Sequence, residues 1–189
     1  MKSLQEYINE SESKTDLSTN KVQPKTKDEL KFYEITDKTE LKDIIKKSVP
    51  QKPKNPHKDR GHGFWLFDEA IRKDENYADI GAGLWNIHYI KCEVKSETCG
   101  LISYSLTYWN DQKNKPIKGN IMHIFDIQTL STYKGLLEFY FNKLEEIAKS
   151  NKCKAISLRF YDKGLIDIYS KYGFESDNNE ERLMIKRIY

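Results

Sequence analysis

Residues 154–189 read KAISLRFYDKGLIDIYSKYGFESDNNEERLMIKRIY, and this stretch decides the fold. Its first part, Ala155–Tyr161, alternates apolar and polar side chains and predicts a strand. Leu165–Tyr172 is typical of a short helix, and Gly173 is a good C-cap for it. Leu183–Tyr189 predicts a closing strand. A strand, a helix and a strand in this order indicate an α/β fold.

The segment before this unit predicts a long amphipathic helix after a series of strands. The apolar stripe of the helix consists of Leu137, Tyr140, Phe141, Leu144, Ile147 and Ala148. The strands are predicted at Asn86–Val94, Thr98–Trp109 and Gly119–Leu130, with turn signals between them. On the third strand, strict alternation would place Ile121, His123, Phe125 and Ile127 on one face.

The part nearer the N-terminus predicts one strand and two helices. The sequence KFYEIT from Lys31 is a short strand candidate, and Asp37 is a candidate N-cap for a helix that Pro50 stops. Gln51–Gly63 is a loop rich in Pro, Lys and Gly, and Phe64–Lys73 is a second helix candidate. The predicted order is therefore β-α-α-β-β-β-α-β-α-β, which indicates a mixed sheet with helices on its faces.

Composition narrows the classes of function. The chain has 32 basic and 29 acidic side chains and a net charge of +3, too balanced to indicate a nucleic-acid binder. No stretch of 18 apolar residues occurs, and the N-terminus lacks the apolar segment of a signal peptide. Cys92, Cys99 and Cys153 form no C-x-x-C pair, so we expect reduced thiols and no metal site. Together with the missing apolar stretches, this leads us to expect no membrane contact and a cytoplasmic location.

The sequence YSKYGFE, Tyr169–Glu175, carries a resemblance to a known superfamily. It resembles the C-terminal helix and its exit in GNAT N-acetyltransferases, where an aromatic residue, usually Tyr, stands four residues before a Gly-Phe pair. KAISLRFY and RLMIKRIY are similar to the fifth and closing strands of that family. The resemblance implies a GNAT-like α/β domain over residues 30–189, with a mixed, mostly antiparallel sheet flanked by helices on both faces. It implies transfer of an acetyl group from acetyl-CoA to an unknown amine.

TYKGLL, Thr132–Leu137, lies where the family carries its acetyl-CoA signature, Q/R-x-x-G-x-G/A. In such a loop the N–H groups at a helix N-terminus bind the pyrophosphate. Gly135 matches the first glycine of the signature, whereas Thr132 and Leu137 depart from it. Asp162 also departs, because the family often has Asn there. The cofactor contacts that the resemblance implies are Ile127, Gln128, Thr129, Thr132, Tyr133, Lys134, Gly135, Leu136, Leu137 and Asp162.

The resemblance also implies roles in the chemistry of acetyl transfer. Tyr169 takes the place of the tyrosine that protonates the leaving thiolate, and the backbone near Ile127–Thr129 takes the place of the oxyanion contact. Two residues of the predicted strand Gly119–Leu130 are candidates for the general base. His123 is on the face that often carries the catalytic carboxylate, and Asp126 is the alternative if a bulge reverses the alternation.

Residues 1–29 predict a short amphipathic peptide followed by a flexible linker. MKSLQEYINE, residues 1–10, resembles the capsid-targeting leader of internal head proteins of tailed phages. That resemblance implies a virion-packaged protein with a virion or host partner. Two functions stay open: an N-acetyltransferase, and a catalytically inactive GNAT-like binding or virion protein. The family resemblance also allows a homodimer.

Overall fold

The structure is a computed structural model that describes residues 29–54, 61–73, 87–110, 115–130, 133, 135–160, 162–177 and 180–188. The predicted leader, residues 1–10, and the linker up to residue 28 lie outside the described residues. Thr132 and Lys134, two of the predicted cofactor contacts, also lie outside them. The division of the chain at residue 29 therefore stays a prediction.

The described residues form one seven-stranded sheet and four helices. The strands are β1 (Leu30–Ile35), β2 (Ile87–Val94), β3 (Glu97–Asn110), β4 (Lys115–Thr129), β5 (Ala155–Arg159), β6 (Glu175–Ser176) and β7 (Leu183–Arg187). The helices are α1 (Lys38–Lys47), α2 (Trp65–Lys73), α3 (Leu137–Ser150) and α4 (Gly164–Ser170). The strand order is β1-β2-β3-β4-β5-β7-β6. The β4–β5 pair is parallel and the other pairs are antiparallel, which confirms the predicted mixed, mostly antiparallel sheet.

Local signals in the sequence explain the first helix and the first hairpin. The Asp37 side chain accepts a hydrogen bond from the backbone N–H of Thr39 at 2.8 Å, which confirms Asp37 as the N-cap of α1. Lys95 and Ser96 form the turn between β2 and β3, with φ angles of 51° and 67°. Positive φ at both central residues is the geometry of a type I′ hairpin turn, which matches the twist of the flanking strands.

Helices cover both faces of the sheet, as predicted. We call the two sides the α3 face and the α1 face. On the α3 face, Tyr140, Phe141 and Leu144 pack in a core with Ile102 and Ile156 from the sheet. On the α1 face, the core consists of Ile35, Leu41, Ile45, Phe64, Phe67, Ile87, Tyr89 and Leu101. Within the described ranges, no helix is long and apolar enough to cross a membrane.

Two details of the strands differ from the sequence-based expectation. β4 begins at Lys115, before the predicted start at Gly119, because its first residues pair with the end of β3. β6 was not predicted. It has only two residues, and it pairs with β7 at the sheet edge, with Glu175 opposite Ile185 and Ser176 opposite Met184. A strand so short has no periodicity to detect.

Candidate active site

The pairing between β4 and β5 ends partway along β4. Their parallel pairing runs from Ile121, opposite Ala155, to Ile124, opposite Leu158. Beyond that point β4 continues to Thr129 with β3 alone as its ladder partner among the described strands. β5 ends one residue after Leu158, at Arg159, so the segment from 125 to 129 lies beyond the β4–β5 ladder; we call the place where this ladder ends the β4–β5 gap.

A bulge in β4 begins at the gap. Tyr104 pairs with Ile124 and Ser103 pairs with Asp126, so one extra residue, Phe125, is inserted in β4 at this step. A bulge reverses the alternation of side chains that follow it. Ile127 consequently packs on the α3 face, whereas Phe125 packs against the α1-face core. The prediction that Ile127 shares a face with Phe125 was therefore wrong.

The bulge brings both candidate bases to the same side. His123 is opposite Ser105 and Asp126 is opposite Ser103, and directly paired residues share a face of the sheet. Ser103 and Ser105 are on the α1 face, since they alternate with Ile102 and Tyr104 of the α3-face core. The α1 face of β4 thus carries an imidazole and a carboxylate within three residues of each other, next to the β4–β5 gap.

The end of β4 is held from both faces. Gln128 points to the α1 face, where its Nε2 donates to the Gly63 carbonyl at 2.9 Å and its Oε1 accepts from the Leu66 N–H at 3.1 Å. Thr129 Oγ1 donates to Tyr140 Oη on α3 at 3.3 Å. Ile127 packs into the α3-face core. The backbone of Ile127–Thr129, where the resemblance implies oxyanion contacts, is therefore fixed in position.

Buried polar side chains concentrate on this part of the sheet. In the described ranges, the buried polar or charged side chains are Ser103, Ser105, His123, Gln128 and Ser157. Register places Ser105, His123 and Ser157 side by side across β3, β4 and β5. The serines were not singled out from the sequence. Their only signal was alternation with apolar residues in β3 and β5, which is equally typical of a solvated face.

His123 is neutral in this environment. Its side chain is 6% exposed, and its ring contacts Phe125 edge-on with centroids 4.9 Å apart. Burial, with a smaller contribution from the charge of Arg159, lowers the pKa of His123 to about 4. Its Nδ1 lies 3.0 Å from Ser157 Oγ. At neutral pH the imidazole therefore has one protonated and one unprotonated nitrogen.

The loop before α3 has an open position at its glycine. Gly135 has a φ of +71°, in the left-handed region, and a Cβ atom built on it would meet no heavy atom of the described residues within 4 Å. α3 begins just after it at Leu137, and no described side chain caps its N-terminus at Leu136. Backbone N–H groups at such a helix end are available to an anion.

The other side chains of this loop belong to the core. Leu136 is buried, and Leu137 packs against the α3-face core. Tyr133 is also buried in that core, and its hydroxyl donates to Glu97 at 3.3 Å. The large side chain at position 137 is therefore directed inward. The departure from the small residue of the family signature is accommodated by the core.

Asp162 has a local structural role. Its Oδ1 accepts a hydrogen bond from the Gly164 N–H at 2.8 Å, and its carbonyl accepts from the Leu165 N–H at 3.0 Å. These contacts satisfy donors at the start of α4, which Asp and Asn do equally well. The replacement of Asn by Asp at this position is compatible with the same turn.

Tyr169 lies on the α3 face. Its ring packs edge-on against Phe141 of α3, with centroids 6.1 Å apart, and in a tilted arrangement against Phe174, with centroids 6.2 Å apart. The candidate acid is thus on one face of the sheet and the candidate bases are on the other.

A cavity of about 750 Å³ opens on the α1 face, between α1 and the β2–β3 hairpin. Its wall includes Ile44, Phe64 and Leu130, the residue that follows β4. Its charged lining residues are the carboxylates of Asp37, Glu40, Asp43 and Glu97 and the amines of Lys47 and Lys91. Carboxylates outnumber amines by four to two, so the cavity favours a positively charged occupant.

Metal ligation and disulfide chemistry find no support in the described part of the chain. There, no group of three or more His, Cys, Asp or Glu side chains is placed to hold a metal ion. The three cysteines are free and buried. Burial raises the pKa of Cys153, and contact with Cys99 together with burial raises that of Cys92, so neither thiol is activated.

Comparisons with known proteins reveal a shared fold but little sequence similarity. No protein-family model matches the chain, and no curated protein matches it. Among solved structures, it is similar to the PaiA N-acetyltransferase of Thermoplasma acidophilum in complex with coenzyme A, with a TM-score of 0.56, 14% identity and coverage of 84% of this chain and 99% of that one.

Two further solved structures have a similar fold. A GNAT-family protein from Desulfovibrio desulfuricans has a TM-score of 0.54 and 10% identity, covering 84% of this chain and 98% of that one. The GNAT-family protein YhbS of Escherichia coli, in complex with CoA, has a TM-score of 0.50 and 10% identity, covering 84% and 79%. The described residues of this chain therefore adopt the fold of the GNAT N-acetyltransferases.

Proposed function

We propose that this protein transfers an acetyl group from acetyl-CoA to an amine. The observation that supports this most is the β4–β5 gap, bordered by a bulged β4 whose end is fixed by Gln128 and Thr129. In the family that the chain resembles, such a gap holds the acetylated pantetheine arm. A fixed backbone next to the reacting carbonyl stabilises the developing oxyanion without reorganisation.

The residues before α3 fit the diphosphate of the cofactor. Gly135 leaves open space at a left-handed turn, and the uncapped start of α3 offers N–H groups and the positive end of the helix dipole. When bound, acetyl-CoA supplies the activated acetyl thioester.

The chain's own residues would carry the proton transfers. Tyr169, on the α3 face, donates a proton to the leaving thiolate. His123 or Asp126, on the α1 face, accepts the proton that the attacking amine loses. The α1-face cavity, whose four carboxylates outnumber its two amines, would favour a cationic molecule as the acceptor.

The alternative, a GNAT-like protein without catalytic activity, rests on the departures at Thr132, Leu137 and Asp162. The packing of Leu137 and the hydrogen bond from the Gly164 N–H to Asp162 account for two of these in structural terms. If the experiment below detects no acetyl transfer, its result favours this alternative.

The test is acetyl transfer to a panel of amines, from diamines and polyamines to lysine peptides, followed by mass spectrometry and thiol release. The Tyr169→Phe variant should reduce the rate roughly a hundredfold while its ring keeps the contacts with Phe141 and Phe174. Tyr172→Phe is the matched control, because Tyr172 also packs on Phe141, with centroids 5.0 Å apart. No transfer to any amine, or equal rates for the two variants, would count against the proposal.

A further inference from the structure

The first turn of α2 is capped by a side chain of β4. The N–H groups in the first turn of a helix have no partner within the helix, and an oxygen of the preceding side chain commonly accepts from one of them. Phe64, the residue before α2, carries no such oxygen. Gln128 Oε1 instead accepts from the Leu66 N–H at 3.1 Å, across 62 residues of sequence. Gln128 therefore does for α2 what a neighbouring Ser or Asp does for most helices.

Ser48, the residue that follows α1, holds the same turn from the other side. Its Oγ accepts from the Phe64 N–H at 2.9 Å and donates to the Ile45 carbonyl at 2.6 Å. Gly63 lies so close that a Cβ atom built on it would be 2.4 Å from the Ser48 carbonyl oxygen. The Gly63 carbonyl in turn accepts from Gln128 Nε2 at 2.9 Å. The turn before α2 is thus fixed by one side chain from α1 and one from β4.

We call residues 63–66, with the two side chains that hold them, the 63–66 clasp. The clasp forms part of the wall of the α1-face cavity, since Ser48 and Phe64 both line it. Leu130, two residues after Gln128, lines the same cavity. The two hydrogen bonds of the Gln128 side chain therefore join the end of β4 to this wall.

We propose that Gln128 is a positioning residue for the acceptor: through the 63–66 clasp, its side chain fixes the wall of the α1-face cavity relative to β4. The proposal rests on the proposed acetyl transfer, with the cavity as the acceptor site. A shift of about 1 Å in a reactant can reduce a rate by roughly a hundredfold, so a loosened wall would impair the use of the amine. The turn at Gly135 is not part of the clasp, so the affinity for acetyl-CoA should not change.

The test compares acetyl transfer by the wild type, Gln128→Met and Ser48→Ala, with the amine that the panel above shows to be transferred fastest. Methionine has about the length of glutamine but forms neither hydrogen bond. In both variants we expect KM for the amine to rise roughly tenfold, while the Kd for acetyl-CoA, measured by calorimetry, stays within about twofold of the wild type. Ser150→Ala is the matched control, because Ser150 Oγ also donates to a carbonyl at a helix end, that of Glu146 at 2.9 Å, but does not line the cavity.

Amide hydrogen exchange, read residue by residue from ¹H–¹⁵N spectra of the full chain, tests the clasp without an acceptor. We expect the Leu66 N–H to be protected in the wild type and in Ser150→Ala, and to exchange faster in Gln128→Met. The wild-type spectrum and Ser48→Ala remain decisive if Gln128→Met does not fold.

Three results would overturn the proposal. These are an unprotected Leu66 N–H in the wild type, an unchanged KM for the amine in the folded variants, and an equal loss of affinity for acetyl-CoA, which would mean that the clasp acts on the cofactor. Absence of transfer by the wild type would contradict the proposed function and, with it, the role of Gln128 toward the acceptor. A protected Leu66 N–H that depends on Gln128 would in that case still establish the clasp itself.

Discussion

Gln128, near the end of β4, donates a hydrogen bond to the carbonyl oxygen of Gly63, just before α2, at 2.9 Å. The same side chain accepts from Leu66 N–H at 3.1 Å. One amide thus joins the strand at the β4–β5 gap to the loop that leads into the second helix. The loop Gln51–Gly63 is where we expect acceptor specificity to arise, and Gln128 couples its end to the central sheet.

Replacing Gln128 with Leu should destabilise the fold by about 2 kcal/mol, because it leaves the buried Gly63 carbonyl and the part-buried Leu66 N–H without their partner. Urea unfolding measures this free energy. Gln51→Leu is the control, since the Gln51 side chain is exposed and its change should stay within about 0.5 kcal/mol. Equal stability of the two variants would show that the contact contributes nothing.

Position 100 has no room for a side chain, because the Gly100 backbone lies close to the ring of Tyr140. A Cβ atom built on Gly100 would lie 1.9 Å from Tyr140 Oη and 2.7 Å from Cζ. Gly100→Ala should therefore destabilise by about 1–3 kcal/mol through overpacking, and Tyr140→Phe by about 1 kcal/mol through loss of the Thr129 contact. The double variant should be less destabilised than the sum, since removing the hydroxyl relieves most of the clash. Additive effects in a denaturation cycle would argue against this packing.

The pH dependence of stability should report the burial of His123. Its pKa is about 4 in the folded protein against an ordinary value of 6.5, so the unfolded chain takes up the proton first as the pH falls. The contribution of the neutral imidazole is complete above pH 6.5 and is lost between pH 6.5 and about 4. The shift corresponds to at most about 3 kcal/mol. His123→Gln, which does not titrate, should lose less stability over this window, and parallel curves would contradict the prediction.

The order of the larger elements could be predicted from the sequence because each is marked locally. Asp37 caps α1, the Lys95–Ser96 turn joins β2 and β3, and the stripe of apolar residues defines α3. These signals act over a few residues, within the reach of propensity and periodicity. The mixed, mostly antiparallel sheet followed from the resemblance to the family, which the structural similarity supports.

The details of the site depend on contacts between distant parts of the chain. The bulge at Phe125 is set by register against β3, so alternation alone placed Ile127 on the wrong face. Gln128 finds its partners more than 60 residues away. The burial of Ser157 and Ser105 is a result of tertiary packing, which alternation along a single strand does not reveal. The catalytic and cofactor roles of the candidate residues stay predictions.

The most direct measurement of the central claim is titration of acetyl-CoA into the purified protein by calorimetry. We predict a Kd on the order of micromolar for the wild type, and loss of binding in Gly135→Glu, which places a carboxylate in the open space before α3. Gly173→Glu is the matched control, since Gly173 also has a positive φ, +83°, but lies beside Lys186 at the end of α4. Binding by the wild type and the control alone would support a cofactor site at Gly135. No binding at millimolar acetyl-CoA, or unchanged binding in Gly135→Glu, would contradict it.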